Sequence, residues 1–438
     1  MLKLAHPEFS RVFRQYWQLL SLNRNYRLLW SAQVISELGD WFYSLSVYSL
    51  LLELTGNQAQ SVGLAVVLQV LPQTLVSPTA GVICDRIRRR TVMISADLAR
   101  FVIVLGMLLV RTPGMVWLVY PLLLFETMGA GFFEPARSSV IPNIVAADQV
   151  LAANALGAVT WSFNLAVGSA LGGLTAALFG RDAVFVVNAL SFLASAVLVG
   201  RMQFREPHAA GRTRLQLADL VDFRPVLEGL RYIRADARLL ATVFVKGGIG
   251  LLGANNVLLP ILGQRVFPFR HTGIDPARES LLGMSLLMAA RGVGSLLGPI
   301  AGGWWAGESH SRLRRGIVAG FLCAAVGYVV LGRATSLALA IIMVILAHAG
   351  ASTNWVFSTT LLQSYTKDRF LGRVFSAELG ICMLGISVSS YAAGVAIDWG
   401  VTARAFAVII GLVMLIPAVT WAAAIRFTVQ RRDKTINQ

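Results

Sequence analysis

Gln33, Glu37, Asp40, Ser44 and Tyr48 follow one another at three- and four-residue spacing inside an otherwise apolar run over residues 28–52. On a helix this spacing puts all five on one face. Two carboxylates one turn apart in a medium of low dielectric cannot both ionise cheaply, so the spacing predicts that at least one of Glu37 and Asp40 holds a proton. A side chain that takes up and gives back a proton inside a membrane has the chemistry of a proton carrier. The competing reading is a structural one, with Asp40 held by N–H groups of helix ends or by Arg291.

Further ionisable residues sit in apolar surroundings. Glu126 is in the middle of the run 116–136, Lys246 in the run 240–263, Arg291 in the run 281–305 and His348 in the run 336–359. Arg291 and Lys246 have the chemistry to neutralise a carboxylate of another helix or to bind an anionic group of a substrate. Glu134 and Arg137 stand three apart and are expected to pair. Cys84, Cys323 and Cys382 have no metal-ligand spacing, so no metal site or disulfide framework is expected. No G-x-x-x-x-G-K-[ST] loop is present, which excludes ATP hydrolysis by that route.

The elements that position these residues are read from hydropathy. Of 438 residues 56% are hydrophobic and 14% charged, too few charges to cover a soluble surface. Twelve apolar runs fall at 28–52, 60–83, 91–110, 116–136, 151–178, 183–203, 240–263, 281–305, 316–332, 336–359, 372–397 and 405–425. In lipid each must satisfy its own backbone hydrogen bonds, which makes them helices. The expected fold is therefore an all-α integral membrane protein of 12 transmembrane helices. The net charge of +16 reflects cations held in the gaps between runs and not a nucleic-acid surface, and no nucleic-acid partner is expected. With both termini in the cytoplasm, cytoplasmic segments hold 28 Lys and Arg against seven outside.

The chain also repeats. At an offset of 221, Pro78, Ala80 and Gly81 fall on Pro299, Ala301 and Gly302, Gly129-Ala130 falls on Gly350-Ala351, and Gly173 falls on Gly394. One offset shared by three helices of each half predicts two six-helix parallel repeats. The expected organisation is a cytoplasmic N-terminal segment (1–27), an N-terminal six-helix half (28–203), a cytoplasmic basic linker (204–239), a C-terminal half (240–425) and a cytoplasmic tail (426–438). Within the linker, LADLVDFRPVLEGLRYIRAD reads as an amphipathic helix interrupted at Pro225.

Between the second and third runs stands Gly81-Val-Ile-Cys-Asp85-Arg86-Ile-Arg88-Arg89-Arg90. It resembles the G-x-x-x-D-R-x-G-R-R loop of the major facilitator superfamily, with Arg88 in place of the usual second glycine. Together with Ser-Glu-Leu-Gly39-Asp40-Trp41 and Glu134-Pro135-Ala136-Arg137-Ser, it is similar to the branch of enterobactin exporters and macrolide efflux pumps. The loop has a physical rationale. Gly81 permits close approach of a neighbouring helix. Asp85 is expected to face the N-terminus of a helix in the other half, and the cluster Arg86, Arg89 and Arg90 to pair with acids such as Asp97 or Glu134. Such contacts exist only when the cytoplasmic side is closed, so they bias the balance between conformations. The alternative is a positive-inside anchor and nothing more. Gly168-Ser169-Ala-Leu-Gly172-Gly173 resembles the G-P-x-x-G-G stretch of antiporters, with Ser for Pro, and is expected to pack closely against a helix of the other half. Many proton-coupled antiporters of the superfamily carry an Arg ahead of a G-x-G pair in the fourth helix; here Phe125 and Glu126 precede Gly129 and Gly131.

The expected function is a secondary active transporter, exporting an amphipathic small molecule of drug or siderophore type in exchange for protons by alternating access. Glu37, Asp40, Glu126 and Arg291 are the coupling and substrate candidates. The alternatives are a transporter of lysophospholipid or another lipid and, from a different class, a membrane-embedded enzyme. Of the five histidines only His348 lies in a span, which leaves an enzyme little to work with. No cofactor is expected beyond the proton gradient. The expected partners are the substrate and the bilayer, the active unit a monomer, and the location the cell inner (plasma) membrane.

Overall fold

The computed structural model describes residues 7–206, 224–271, 275–307, 309–367 and 370–436. Among them helices account for every regular element. Helix α1 (Pro7–Leu22) leads into α2 (Arg24–Leu54), followed by α3 (Ala59–Arg86), α4 (Arg89–Leu105), α5 (Val116–Ile144), α6 (Val150–Phe179) and α7 (Arg181–Gly200). A linker helix, α8 (Arg224–Ala235), precedes α9 (Ala237–Leu251), α10 (Asn255–Arg265), α11 (Pro276–Ala306), α12 (His310–Arg333), α13 (Leu337–Tyr365), α14 (Leu371–Asp398), α15 (Ala403–Val413) and α16 (Leu415–Ile436). Two spans are built from consecutive helices, α9 with α10 and α15 with α16, which gives twelve crossings. The first of these breaks at a short 3-10 turn over Leu252–Ala254, where Asn255 and Asn256 donate to the carbonyls of Leu252 and Gly253.

Eleven spans are long and apolar enough to cross a membrane on composition alone. The twelfth, α2, carries Gln33, Glu37 and Asp40, yet its 31 residues are more than enough for a hydrocarbon layer of about 30 Å. The chain ends its helices abruptly. Gly180, at φ +83°, is the single residue between α6 and α7, a conformation that few L side chains adopt. Ser336 and Thr402 cap α13 and α15 by accepting from the N–H groups of Leu339 and Ala405.

The repeat is visible in the packing. Helix α6 lies on α11 and α14 lies on α3, and the matched glycines occupy matched places. Gly173 of α6 abuts Ser285 of α11, and Gly394 of α14 abuts Ala59 and Gln60 of α3, each joining one half to the other. Within the halves, Gly129 makes room for the Arg100 stem on α4, and Gly350 lies against Gly320 on α12. The same offset thus relates the α5–α4 and α13–α12 contacts.

The halves meet from mid-membrane to the end away from the chain termini. There Asp398, the last residue of α14, accepts from the backbone N–H groups of Ala59 and Gln60 at the start of α3, at 2.7 and 2.8 Å. Gln60 donates to the Tyr391 hydroxyl at 2.6 Å, and Gln264 donates to Asn57 at 3.1 Å. Deeper in the layer Gly292 presses on Ala166, and the Ser285 hydroxyl donates to the Ser169 carbonyl at 2.7 Å. Toward the termini no hydrogen bond joins the halves among the described residues. Gly81, Gly303 and Gly380 have open space where a Cβ would stand. The close approach expected at Gly81 is therefore not made in this conformation, because the terminal-side ends of the halves stand apart.

Two terminal-side elements flank the spans. The N-terminal segment contains α1, whose Leu19 is buried against the α2–α5 cluster. In the linker, Pro225 stands in the first described turn of α8, and the stretch 207–223 lies outside the described residues. Helix α8 lies against the start of α14, where Arg373 pairs with Glu228 at 2.6 Å and Tyr232 stacks on Phe370.

Candidate functional site

Arg100, in the middle of α4, is the residue around which the N-terminal half arranges its charge. Its side chain is almost fully buried, with the guanidinium 3.9 Å above the Phe192 ring. One terminal nitrogen donates to both Asp40 oxygens, at 3.0 and 2.9 Å, and to Glu126 Oε1 at 2.5 Å. Nε donates to the same Glu126 oxygen at 2.8 Å. Gly129, one turn beyond Glu126 on α5, supplies the space that the Arg100 methylenes fill, since a Cβ there would stand 2.7 Å from Arg100 Cγ. One permanent cation is thus shared by two carboxylates, an arrangement that carries one negative charge in excess. Asp40 is the open member of the three. Its side chain is 33% exposed against 8% for Glu126.

Glu37 belongs to a neighbouring network on the terminal side. It accepts from the Gln33 amide at 2.7 Å and from Asn164 at 3.1 Å. Gln33 in turn accepts from Arg137 at 2.9 Å, and Arg137 pairs with Glu134 at 2.7 Å. The expected Glu134–Arg137 pair therefore exists and continues inward through Gln33 to Glu37. The helix face predicted for α2 carries both networks, with Glu37 one turn nearer the termini than Asp40.

The structural alternative for Asp40 named Arg291 as its partner, and the geometry corrects this. Arg291 of α11 donates to Asn256 Oδ1 at 2.5 Å, and its guanidinium lies 6.0 Å from the Trp41 ring centre. Trp41 meets Trp161 edge-on at 5.8 Å, so three helices, α2, α6 and α11, converge there. In the C-terminal half Lys246 stands 3.4 Å from Glu378, donates to Thr359 at 3.1 Å and lies 3.7 Å above the Trp355 ring. His348 shares a 2.9 Å hydrogen bond with Tyr328 and is buried.

The contacts expected of the arginine cluster belong to a state closed on the terminal side. In this conformation Glu134 pairs with Arg137, and Asp97 is buried within α4. Arg89 donates instead to the Ser139 carbonyl at 2.6 Å and Arg90 to the Gly200 carbonyl, near the C-terminal ends of α5 and α7. Cations suit that place because the last carbonyls of a helix are unsatisfied and its dipole is negative there. The backbone N–H of Arg89 donates to Glu206 at 2.7 Å. Arg86 closes α3, and the side chain of Asp85 lies outside the described residues. Of the glycines expected to face the other half, Gly173 does, against Ser285. Gly168 and Gly172 instead receive Trp41 and Phe42 of α2, within their own half. They are four apart and share a face, whereas Gly173 is turned by about 100° from Gly172.

Arg100 is the candidate residue that spacing did not find. A lone Arg ten residues into a run gives no signal of its own, although a cation inside a span calls for an acid on another helix, and Asp40 and Glu126 were there to be matched.

A family profile described as transmembrane secretion effector matches residues 19–436. Macrolide efflux protein A of Streptococcus pyogenes is 25% identical over 366 residues, covering 82% of this chain and 86% of that protein. The putative bacilysin exporter BacE of Bacillus subtilis (strain 168) is 24% identical over 368 residues, covering 83% and 86%. Among solved structures, a bacterial homologue of the iron transporter ferroportin in its inward-facing state superposes with a TM-score of 0.67 at 13% identity, covering 91% of this chain and 98% of the other.

Proposed function

The chain belongs to the transmembrane secretion effector family of the major facilitator superfamily, in its efflux branch, and from that premise we propose that it exports an amphipathic small molecule in exchange for protons. The observation that carries the reading is the sharing of Arg100 between Asp40 and Glu126. A proton on either carboxylate brings the three side chains to neutrality. A proton on Asp40 also releases Arg100 wholly to Glu126. Proton occupancy therefore changes which helices are tied together: α2, α4 and α5 when Asp40 is ionised, α4 and α5 alone when it is protonated.

Alternating access supplies the use of that change. The contacts around Asp398 close the end away from the termini, and the terminal-side ends stand apart. With both termini in the cytoplasm of a bacterial-type plasma membrane, this is the inward-facing state, in which substrate enters from the cell. Asp40, the exposed member, gives up its proton as substrate binds. It is reprotonated from outside once the far end has opened. The Glu134–Arg137–Gln33–Glu37 network connects the same helix face toward the cytoplasm. No cofactor enters this cycle, a monomer contains every part, and His348, buried on Tyr328, takes no step in it, so we read the chain as a transporter and not an enzyme.

The relatives suggest first substrates: a macrolide and bacilysin, which the names of two of them carry. The experiment is uptake of radiolabelled erythromycin, and separately of bacilysin, into liposomes holding purified protein under an imposed pH gradient. Accumulation that collapses when the gradient is dissipated supports the reading. Uptake indifferent to the gradient for every compound moved contradicts proton exchange.

A further inference from the structure

We infer that Arg291 is a binding site for an oxyanion, a carboxylate or phosphate group carried by an amphiphile in the cavity between the halves; this rests on the transporter reading above. The other cations inside the spans each have an acid. Arg100 pairs with Asp40 and Glu126, Arg137 with Glu134, and Lys246 with Glu378. Arg291 has no carboxylate within 4.0 Å among the described residues. Its one hydrogen bond goes to the neutral amide oxygen of Asn256. The ionisable groups that interact with it electrostatically are Tyr48, Tyr328 and His348, none of which supplies an anion at neutral pH.

A guanidinium cannot shed its proton to escape this situation, and a charge in a low-dielectric interior without a counter-charge is costly. A fixed acid of the protein would be the structural solution, as it is for the other three. Here the counter-charge is missing from the protein and the side chain is only half-buried, so its remaining donors are not sealed off. Its position suits a ligand. Arg291 sits halfway along α11, one residue before Gly292, which touches Ala166 of the other half. It also faces Trp41, which belongs to the other half too. The planar fork of an arginine matches the two oxygens of a carboxylate or phosphate, and the neighbouring indole rings of Trp41 and Trp161 offer an apolar surface for the rest of an amphiphile. The carboxylates Glu37, Asp40 and Glu126 in the opposite half repel an anion and so fix which way round it lies.

The test is equilibrium binding to full-length protein in nanodiscs, with one fluorescent scaffold in two forms: 11-(dansylamino)undecanoate and its methyl ester. Wild type should bind the carboxylate about ten-fold or more tighter than the ester, the scale of one charge-assisted hydrogen bond. Arg291→Gln should lose that preference while keeping the ester affinity, and Arg291→Lys should keep part of it. The retained ester affinity shows that the variant is folded. Competition then separates the sources: displacement by lysophosphatidylglycerol assigns the oxyanion to a lipid headgroup, displacement by inorganic phosphate to a free anion, and either supports the site. Equal wild-type affinity for acid and ester, no wild-type binding of either, or an undiminished preference in Arg291→Gln overturns it. Because binding is read without a pH gradient, failure of proton-driven uptake would overturn the transporter cycle and leave this result standing.

Discussion

Arg100 of α4 and Asp40 of α2 are sixty residues apart in sequence and are joined by two hydrogen bonds of 3.0 and 2.9 Å to one guanidinium nitrogen. The same nitrogen holds Glu126, so the tie to Asp40 is one that a single proton can loosen without leaving Arg100 unpaired.

Removing the cation should be worse than removing either acid. In Arg100→Gln, two carboxylates remain within the half with nothing between them, and breaking a buried pair from one side costs about 3–5 kcal/mol; the exposure of Asp40 places the expected loss near the lower end. Thermal unfolding of detergent-solubilised protein should show a clear fall in Tm for Arg100→Gln and partial recovery in Arg100→Gln with Glu126→Gln. An unchanged Tm would mean that Arg100 is not holding the acids.

A second prediction concerns Asp398, which caps the start of α3 from the other half. Asp398→Asn keeps the shape and removes the charge, and a charge at a helix N-terminus contributes about 0.3–1 kcal/mol. The closed far end should therefore lose population by about two- to five-fold. Spin labels at the exposed Gln58 and Trp399, read as distance distributions, should gain a longer component. An identical distribution would show that Asp398 does not help to hold that end closed.

Asp85→Asn should act in the opposite direction. The charge of Asp85 is expected to favour closure on the terminal side, so its loss should enrich the state seen here and slow transport without lowering the amount of inserted protein. Wild-type rates at matched expression would leave the loop as a membrane anchor only.

The orientation is tested separately. Cysteine placed at Gln216 in the linker should resist a membrane-impermeant maleimide in intact cells and react after permeabilisation. Labelling in intact cells would reverse the topology and, with it, the direction assigned to the open end.

The twelve spans and the repeat were legible because they rest on hydropathy and on glycines at one offset, both local properties of the chain. So was the Glu134–Arg137 pair, which needs only the three-residue spacing of a helix. The partner of Asp40 was not. Arg100 and Arg291 both lie in spans, and which of them reaches α2 depends on the packing of α4 beside α7 and α5, with Phe192 beneath the guanidinium and Gly129 admitting its stem. The split roles of Gly168, Gly172 and Gly173 had the same origin. The string identifies small residues, while the rotation of α6 decides which neighbour each one meets.

If the carboxylates of α2 couple transport to protons, uptake in liposomes read beside equilibrium binding will show it. Glu37→Gln, Asp40→Asn and the double variant are compared with wild type, using whichever compound wild type accumulates. Asp40→Asn should bind that compound but no longer concentrate it under a proton gradient, with a smaller loss for Glu37→Gln. If the double variant still concentrates the compound when a proton gradient is the only driving force, these carboxylates do not couple transport to protons and the coupling site lies elsewhere.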